Sequence, residues 1–314
     1  MLVNREVLLV KIESTYNTDP TPTGADNAVL VENPAWSHAG ARMNERNPVR
    51  TSIASLKQVF GGTLMQVTFD VELKGAGAAY SATVRPECDA LLRACGYAAT
   101  VDATPSSESV TYQPASTGHE SATIYYYQDG MLFVLTGCRG NVSFAFEAGG
   151  IGKASFTMTG HSVAPTDAPL ATPTYDSTVP VPFLSAGFSI DGYSATINAL
   201  AFDMSNTVAM PADANASDGY GEIRITKRDT NGSFDPEAEL VATEAFIANW
   251  RSGAAMALDT GSIGSTQYNK YDLNMPAVSY RDVAPGDRDG VRTYDLSFGA
   301  HESATDDESV LIFD

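Results

Sequence analysis

Cysteine is scarce here, and poorly placed for its usual roles. The chain of 314 residues has three, Cys88, Cys95 and Cys138, with no C-x-x-C pair to begin a zinc site or a redox motif. The four histidines, His38, His119, His161 and His301, are scattered along the chain. Plain buried or half-buried thiols, in a protein made in a cytoplasm, are the expectation. Basic charge is the second shortage. Lys and Arg number 19 against 38 Asp and Glu, a formal net charge of −19. That balance argues against a surface built to grip nucleic-acid phosphates or anionic lipid. No apolar run approaches the ~18 residues of a membrane span. The opening segment MLVNREVLLVK is interrupted by Arg5 and Glu6 and has no small-residue cleavage site after it, so no signal peptide is expected.

Catalytic signatures are also missing. There is no G-x-S-x-G, no H-E-x-x-H and no Cys/His pair placed for nucleophilic chemistry. We expect no enzyme, no cofactor and no metal. The stretches Asp287-Arg288-Asp289-Gly290 and Asp229-Thr230-Asn231-Gly232 put acids beside glycine, but neither fits a calcium loop. Asp-Gly and Asn-Gly are ordinary turn residues.

What is present is alternation. Gly149-Gly150-Ile151-Gly152-Lys153 resembles a phosphate-cradling loop at first sight. The motif G-x-x-x-x-G-K-[ST] requires glycine where Glu147 stands and a hydroxyl residue where Ala154 stands. On either side, Val142, Phe144 and Phe146 alternate with small or polar residues, as do Phe156 and Met158. The spacing therefore predicts two antiparallel strands around a glycine turn. Residues 62–73 (GTLMQVTFDVEL) alternate in the same way, with Val67, Phe69 and Val71 on one side and Gln66, Asp70 and Glu72 on the other. Further strands are expected at 6–12, near 28–31, and at 109–113, 122–128, 131–135, 187–190, 193–204, 221–227, 271–280 and 291–298. Helices are expected at Pro86–Cys95 and Pro236–Trp250, where prolines and acids open an apolar stripe and glycine closes it. Residues 282–290 read as a loop.

Five prolines between 162 and 182 mark a linker. On either side of it the order of elements repeats: strands, a long alternating strand, one helix ended by glycine, then more strands. SFTMTGHSVAPTDAP (155–169) also echoes DLSFGAHESATDDES (295–309). The expected organisation is a first β domain over 1–164, a Pro/Thr-rich linker over 165–182 and a second β domain over 183–314.

Several stretches are similar to those of a known family: FLSAGFSIDGYSATINALAFDMSNTV (183–208), DGYGEIRITKRDTNGSFDPEAELVATEAFIANWRSG (218–253), YRDVAPGDRDGVRTYDLSF (280–298) and PTPTGADNAVLVEN (20–33). They resemble the major tail tube proteins of long-tailed, non-contractile bacteriophages. The resemblance implies a mainly β fold, with barrel-forming sandwich sheets and a flanking helix per domain, in a structural virion protein. It further implies copies that close into rings, rings that stack into a tube, and genomic DNA that passes through the lumen without tight binding. Terminator, tape-measure and baseplate proteins of the tail are the implied partners, and no membrane anchor is needed. Two tail-tube-like domains in one chain would suit three chains per ring with pseudo-sixfold symmetry; one tube domain with a decorating domain would suit six. On this reading Gln66, Asp70, Glu72 and Asp295 are candidates for the lumen wall. Val67, Phe69 and Val71 are candidates for core or inter-subunit packing. Loops 36–60 and 211–215 are candidates for ring stacking. The alternative is a receptor- or carbohydrate-binding β module of a virion tail tip, with the aromatic run Tyr125-Tyr126-Tyr127 as its stacking surface.

Overall fold

A computed structural model describes residue 2 and residues 5–314. The fold is mainly β. The first half holds β1 (Glu6–Ile12), β2 (Ala28–Val29), β3 (Glu32–Ala39), β4 (Met43–Asn44), β5 (Val59–Phe60) and β6 (Leu64–Glu72). A short helix α1 (Asp89–Ala94) follows. Then come β7 (Tyr97–Asp102), β8 (Ser109–Pro114), β9 (Ala122–Gln128), β10 (Met131–Glu147), β11 (Lys153–Ser162) and β12 (Thr166–Asp167). The second half holds β13 (Ser189–Ile190), β14 (Ala199–Asp203), β15 (Thr207–Ala209), β16 (Arg224–Lys227) and β17 (Asn231–Phe234). Helix α2 (Phe246–Ser252) precedes β18 (Met256–Asp259), β19 (Tyr271–Arg288), β20 (Val291–Ala300) and β21 (Val310–Phe313).

The halves repeat one strand order. In the first, hydrogen bonding runs β1-β9-β10-β11-β6-β3. In the second it runs β13-β18-β19-β20-β17-β14. Ranked by place in the chain, both read first, fourth, fifth, sixth, third, second. Each helix falls between the third and fourth strands of its set. β10 and β19 are the long members, and each shifts register against its hairpin partner, between Thr136 and Arg139 and between Tyr280 and Asp282. Such shifts bend a strand, so each long strand can belong to one layer at its start and another at its end.

Two ladders knit the halves together. β14 pairs with the end of β10, and the C-terminal β21 pairs with both β19 and β8. One hydrophobic core runs through both halves, from Leu8 and Val67 to Phe298 and Phe313. Seventeen strands join a barrel-like network. Traced through their registers among the described residues, its pairings branch from β10 and β19 and never return to their start, so this network does not close on itself.

The glycine cluster does turn a hairpin. Gly150 N–H donates to Glu147 O at 2.8 Å, and Gly149 takes φ +79°, where only glycine is free of strain. All three cysteines are free and buried, and burial raises each thiol's pKa. No helix among the described residues is long and apolar enough to cross a membrane.

Three expectations are corrected. The helix expected over Pro236–Trp250 forms only over Phe246–Ser252. Its first part runs beside the sheet, where Glu237 bridges Thr293 and Arg288 pairs with Asp235 and Glu237. Leu240 and Val241 stay exposed, and a short helix without a buried face gains little. The helix expected from Pro86 starts at Asp89. The loop expected over 282–290 is strand as far as Arg288, and Asp289-Gly290 alone makes the turn. Pro285 suggested a loop because it lacks an N–H, but an outermost strand tolerates proline.

Candidate functional site: one polar sheet face with two open edges

Because β14 joins β10, eight strands lie side by side in the order β3-β6-β11-β10-β14-β17-β20-β19, each antiparallel to the next. Period-two alternation divides this sheet into two chemically different faces. On β6, Met65, Val67, Phe69 and Val71 are buried, while Gln66, Thr68, Asp70 and Glu72 are half-exposed. Register carries the division across both halves. Asp70, Ser155, Ser143, Asp203 and Asn231 stand in one row. Glu72, Lys153, Ala145, Ala201, Ser233, Ser297 and Asp282 stand in another. Asp295 lies on the same face, opposite Ala284. The sheet thus places Gln66, Asp70, Glu72 and Asp295 on one continuous surface, although Asp295 is more than 200 residues from the others in the chain.

That surface is acidic, and its side chains are small. Hydroxyls and amides fix two of its carboxylates and link other polar side chains across the face. Ser155 Oγ donates to Asp70 at 2.5 Å, and Asn33 Nδ2 donates to the other oxygen at 3.1 Å. Asn141 Nδ2 donates to Asp203 at 2.7 Å, and Gln66 Nε2 to Thr159 Oγ1 at 3.3 Å. Lys153 is the cation of these rows, and it donates to Glu32 at 2.6 Å. That bond, with Asp70 and Glu72 nearby, raises the pKa of its ammonium. A polyanion facing this surface meets carboxylates and short hydroxyl side chains. The two rows offer neither an aromatic stacking platform nor an unoccupied lysine.

The opposite face is core. Val67, Phe69 and Val71 belong to the main hydrophobic cluster, and Phe69 stacks on Phe156 with ring centroids 5.8 Å apart. Tyr125, Tyr126 and Tyr127 lie between β1 and β10. Tyr126 is buried and donates to Glu6.

Two edges of the eight-stranded sheet are open. Among the described residues, β3 pairs with β6 alone. Among the same residues, Asp282–Arg288 of β19 pairs with β20 on one side only. Alternation in ALAFDM could have pointed to Asp203 as a member of the polar face. Asp282 was hidden because its segment read as a loop. The same alternation puts Ser143 and Ser155 on the polar side of their strands, but only register sets them in one row with Asp70 and Asp203.

One side-chain chain looks superficially catalytic. Tyr16 Oη and His161 Nε2 lie 3.0 Å apart, and His161 Nδ1 lies 2.6 Å from Asp218. Burial pushes Tyr16 up to about 12, so its phenol stays protonated. The same oxygen accepts a bond from Ile223 N–H at 2.7 Å, which makes the trio a tether between the halves. Among the described residues, no group of three His, Cys, Asp or Glu side chains could hold a metal.

A family model described as phage tail tube protein matches residues 3–300. No curated protein gives a significant match.

Proposed function

Because the chain belongs to the phage tail tube protein family, a structural component of the virion tail, we propose that its copies close edge to edge into rings that stack as a DNA-conducting tube. The observation that carries this reading is the eight-stranded sheet with both outer edges unpaired. An open edge is a template for another strand. The chain already contains one example of the joint: β14, last in the second strand set, pairs with Ser143–Glu147 of β10. Its counterpart in the first set is β3, and the counterpart of that β10 segment is Asp282–Arg288. Both are free. Repeating the internal joint between copies pairs β3 of one chain with Asp282–Arg288 of the next, a head-to-tail contact that closes when the rotation divides a full turn.

The repeated strand order favours two tandem tube-like domains per chain and three chains per ring. Three copies then line the ring with roughly twenty-four strands, enough for an open channel rather than a filled barrel. The acidic face, with Gln66, Asp70, Glu72 and Asp295, is placed inside. Like charge there keeps DNA moving, because no counterion-releasing contact holds it. The net charge of −19 suits such a wall and also suits solubility.

A symmetry-resolved image of one assembled ring tests all of this. Three chains with β3 against residues 282–288 of the neighbour is the expected result. Six chains, with one half of each outside the wall, would overturn the tandem reading. A protein that stays monomeric at every concentration would overturn the tube itself.

A further inference from the structure

The internal joint between β14 and β10 has a definite register. Its pairs run Ser143–Asp203, Phe144–Phe202, Ala145–Ala201, Phe146–Leu200 and Glu147–Ala199. Met204 N–H donates to Val142 O, and Ala148 N–H donates to Asn198 O. Antiparallel pairs alternate between those that exchange hydrogen bonds and those that do not, so Val142, Phe144 and Phe146 turn their backbone groups toward β14. On the core side Phe144 stacks on Phe202, with ring centroids 4.4 Å apart and planes 12° from parallel. On the polar side Asn141 Nδ2 donates to Asp203 at 2.7 Å.

The strand repeat carries each of these positions to an open edge. Phe156 pairs with Phe69 and Leu296 with Phe234, which matches Thr157 to Ser297. Thr157 pairs with Asn141 and Ser297 with Asp282. Asn141, Ser143, Phe144 and Glu147 therefore correspond to Asp282, Ala284, Pro285 and Arg288. On the other edge strand, Phe202 pairs with Gly232 and Trp36 with Val67, so Phe202 and Asp203 correspond to Trp36 and Ser37.

Backbone phase agrees with this match. Tyr294 stands opposite Pro285, yet its N–H donates away from β19, to Pro236 O. That pair exchanges no bonds, and the backbone groups of Val283, Pro285 and Asp287 face the open edge. Pro285 has no N–H, and the Asp282 carboxylate takes the Val283 N–H at 2.9 Å. The edge thus offers carbonyls and few donors, which discourages pairing with strands at random. Trp36, on the opposite edge, is 39% exposed. Its Nε1 already donates to Gln128 at 3.2 Å, and its ring packs against Phe133 at 5.1 Å. What it still shows to solvent at the edge is apolar ring.

Resting on the ring reading, we propose that chains join in one register, with Trp36 of one copy against Pro285 of the next, where the internal joint sets Phe202 against Phe144. Ser37 then stands opposite Ala284 and donates to Asp282, which exchanges the donor and acceptor of the Asn141–Asp203 bond. Beyond the bulge in β3, Glu32 comes opposite Arg288, an oppositely charged pair. Trp36 N–H donates to Pro285 O, but proline returns no bond. A joint between chains is therefore poorer than the internal joint by the bond that Pro285 cannot donate. Two 282–288 edges brought together would set carbonyl against carbonyl, so the same proline keeps the ring head to tail.

Engineered cysteines read the register directly. Ser37 and Ala284 would form a pair without exchanged bonds, in which Cα atoms lie about 4.5 Å apart, within disulfide reach. The full chain carrying Ser37→Cys with Ala284→Cys is assembled, oxidised and separated without reductant; the three native cysteines are buried. Covalent linkage between chains is expected, about tenfold above that in Ser37→Cys with Arg288→Cys or in Ser37→Cys alone. By sedimentation, Pro285→Ala is expected to lower the concentration needed for rings by about threefold. Trp36→Ala is expected to raise it by about tenfold or more, with Trp36→Phe restoring most of the loss. Rings whose chains link better through Arg288→Cys, or through Ser37→Cys alone, would overturn the register and leave the ring reading standing. Unchanged assembly in Trp36→Ala would do the same. Absence of rings in the parent would overturn both.

Discussion

The two halves share a strand order but not a division of labour. The first half places helix α1 deep, with Leu91, Leu92 and Ala94 buried, and sends residues 45–58, between β4 and β5, into solvent. The second buries only Phe246 from α2 and packs Tyr220 and Ile223, from the connection between β14 and β17, against Leu64 of the first half. One strand order is thus used twice, with equivalent strands and unlike connections. Strands are held by ladders that both halves need, whereas connections can change without disturbing a register.

If the halves share one core, they should fail together. Phe69 in the first and Phe234 in the second occupy third strands, 2% and 3% exposed. Phe69→Ala and Phe234→Ala are each expected to lose about 3–5 kcal/mol. Circular dichroism and tryptophan fluorescence in urea should report one coincident transition for each. Separate transitions, with one half surviving the other, would break the comparison and make the halves independent domains.

The next largest effect is expected beneath α1. Lys74 and Glu87 form an ion pair at 2.9 Å with side chains only 2% and 5% exposed, and Lys74 also donates to Asp176 O. Glu87→Gln leaves the ammonium buried without its counter-charge, at a cost of about 3 kcal/mol. A urea midpoint unchanged from the parent would show that α1 is no more firmly seated than α2.

Asp272, in the second half, should respond in the opposite direction. Burial, followed by the neighbouring Asp259, raises its pKa from 3.8 to about 6. Between those values the folded chain holds a proton that the unfolded chain has lost. The group's stabilising contribution is therefore complete below about pH 4 and is lost as pH rises through about 6. Asp272→Asn removes the titration. It is expected to raise stability at pH 7.5 by on the order of 1 kcal/mol, after allowance for partial solvent screening, and to give no gain at pH 4. Thermal melts at both values check this, and equal effects at both would refute it.

Legibility from sequence follows the same boundary between strands and connections. Period-two alternation located β6 and the hairpin of β10 and β11, because one side of each strand is buried and the other is not. The repeat was visible as an order of elements, and the similar phrases pointed to the family. The helix over 236–245 was misread because its apolar spacing lacks a surface to bury against, a fact set by Glu237 and Arg288 elsewhere in the fold. Residues 282–288 were misread because proline and glycine also occur on an unpaired edge. That error concealed one of the two edges on which the proposed ring depends. The continuous polar face could not be read at all, since it exists only once β14 lies beside β10.

The smallest predicted effect tests that face most directly. Asp295 and Leu296 are adjacent on β20 and point to opposite sides of the sheet; the first is exposed and the second is 1% exposed. A residue that serves a channel wall, not the fold, should be nearly silent in the isolated chain. Asp295→Asn is therefore expected to change stability by no more than about 0.5 kcal/mol, while Leu296→Ala loses about 2–5 kcal/mol. Urea midpoints at unchanged slope measure both. A loss above about 1.5 kcal/mol for Asp295→Asn would mean that the acid helps hold the sheet together. Its conversion to a lumen charge by assembly alone would then no longer follow.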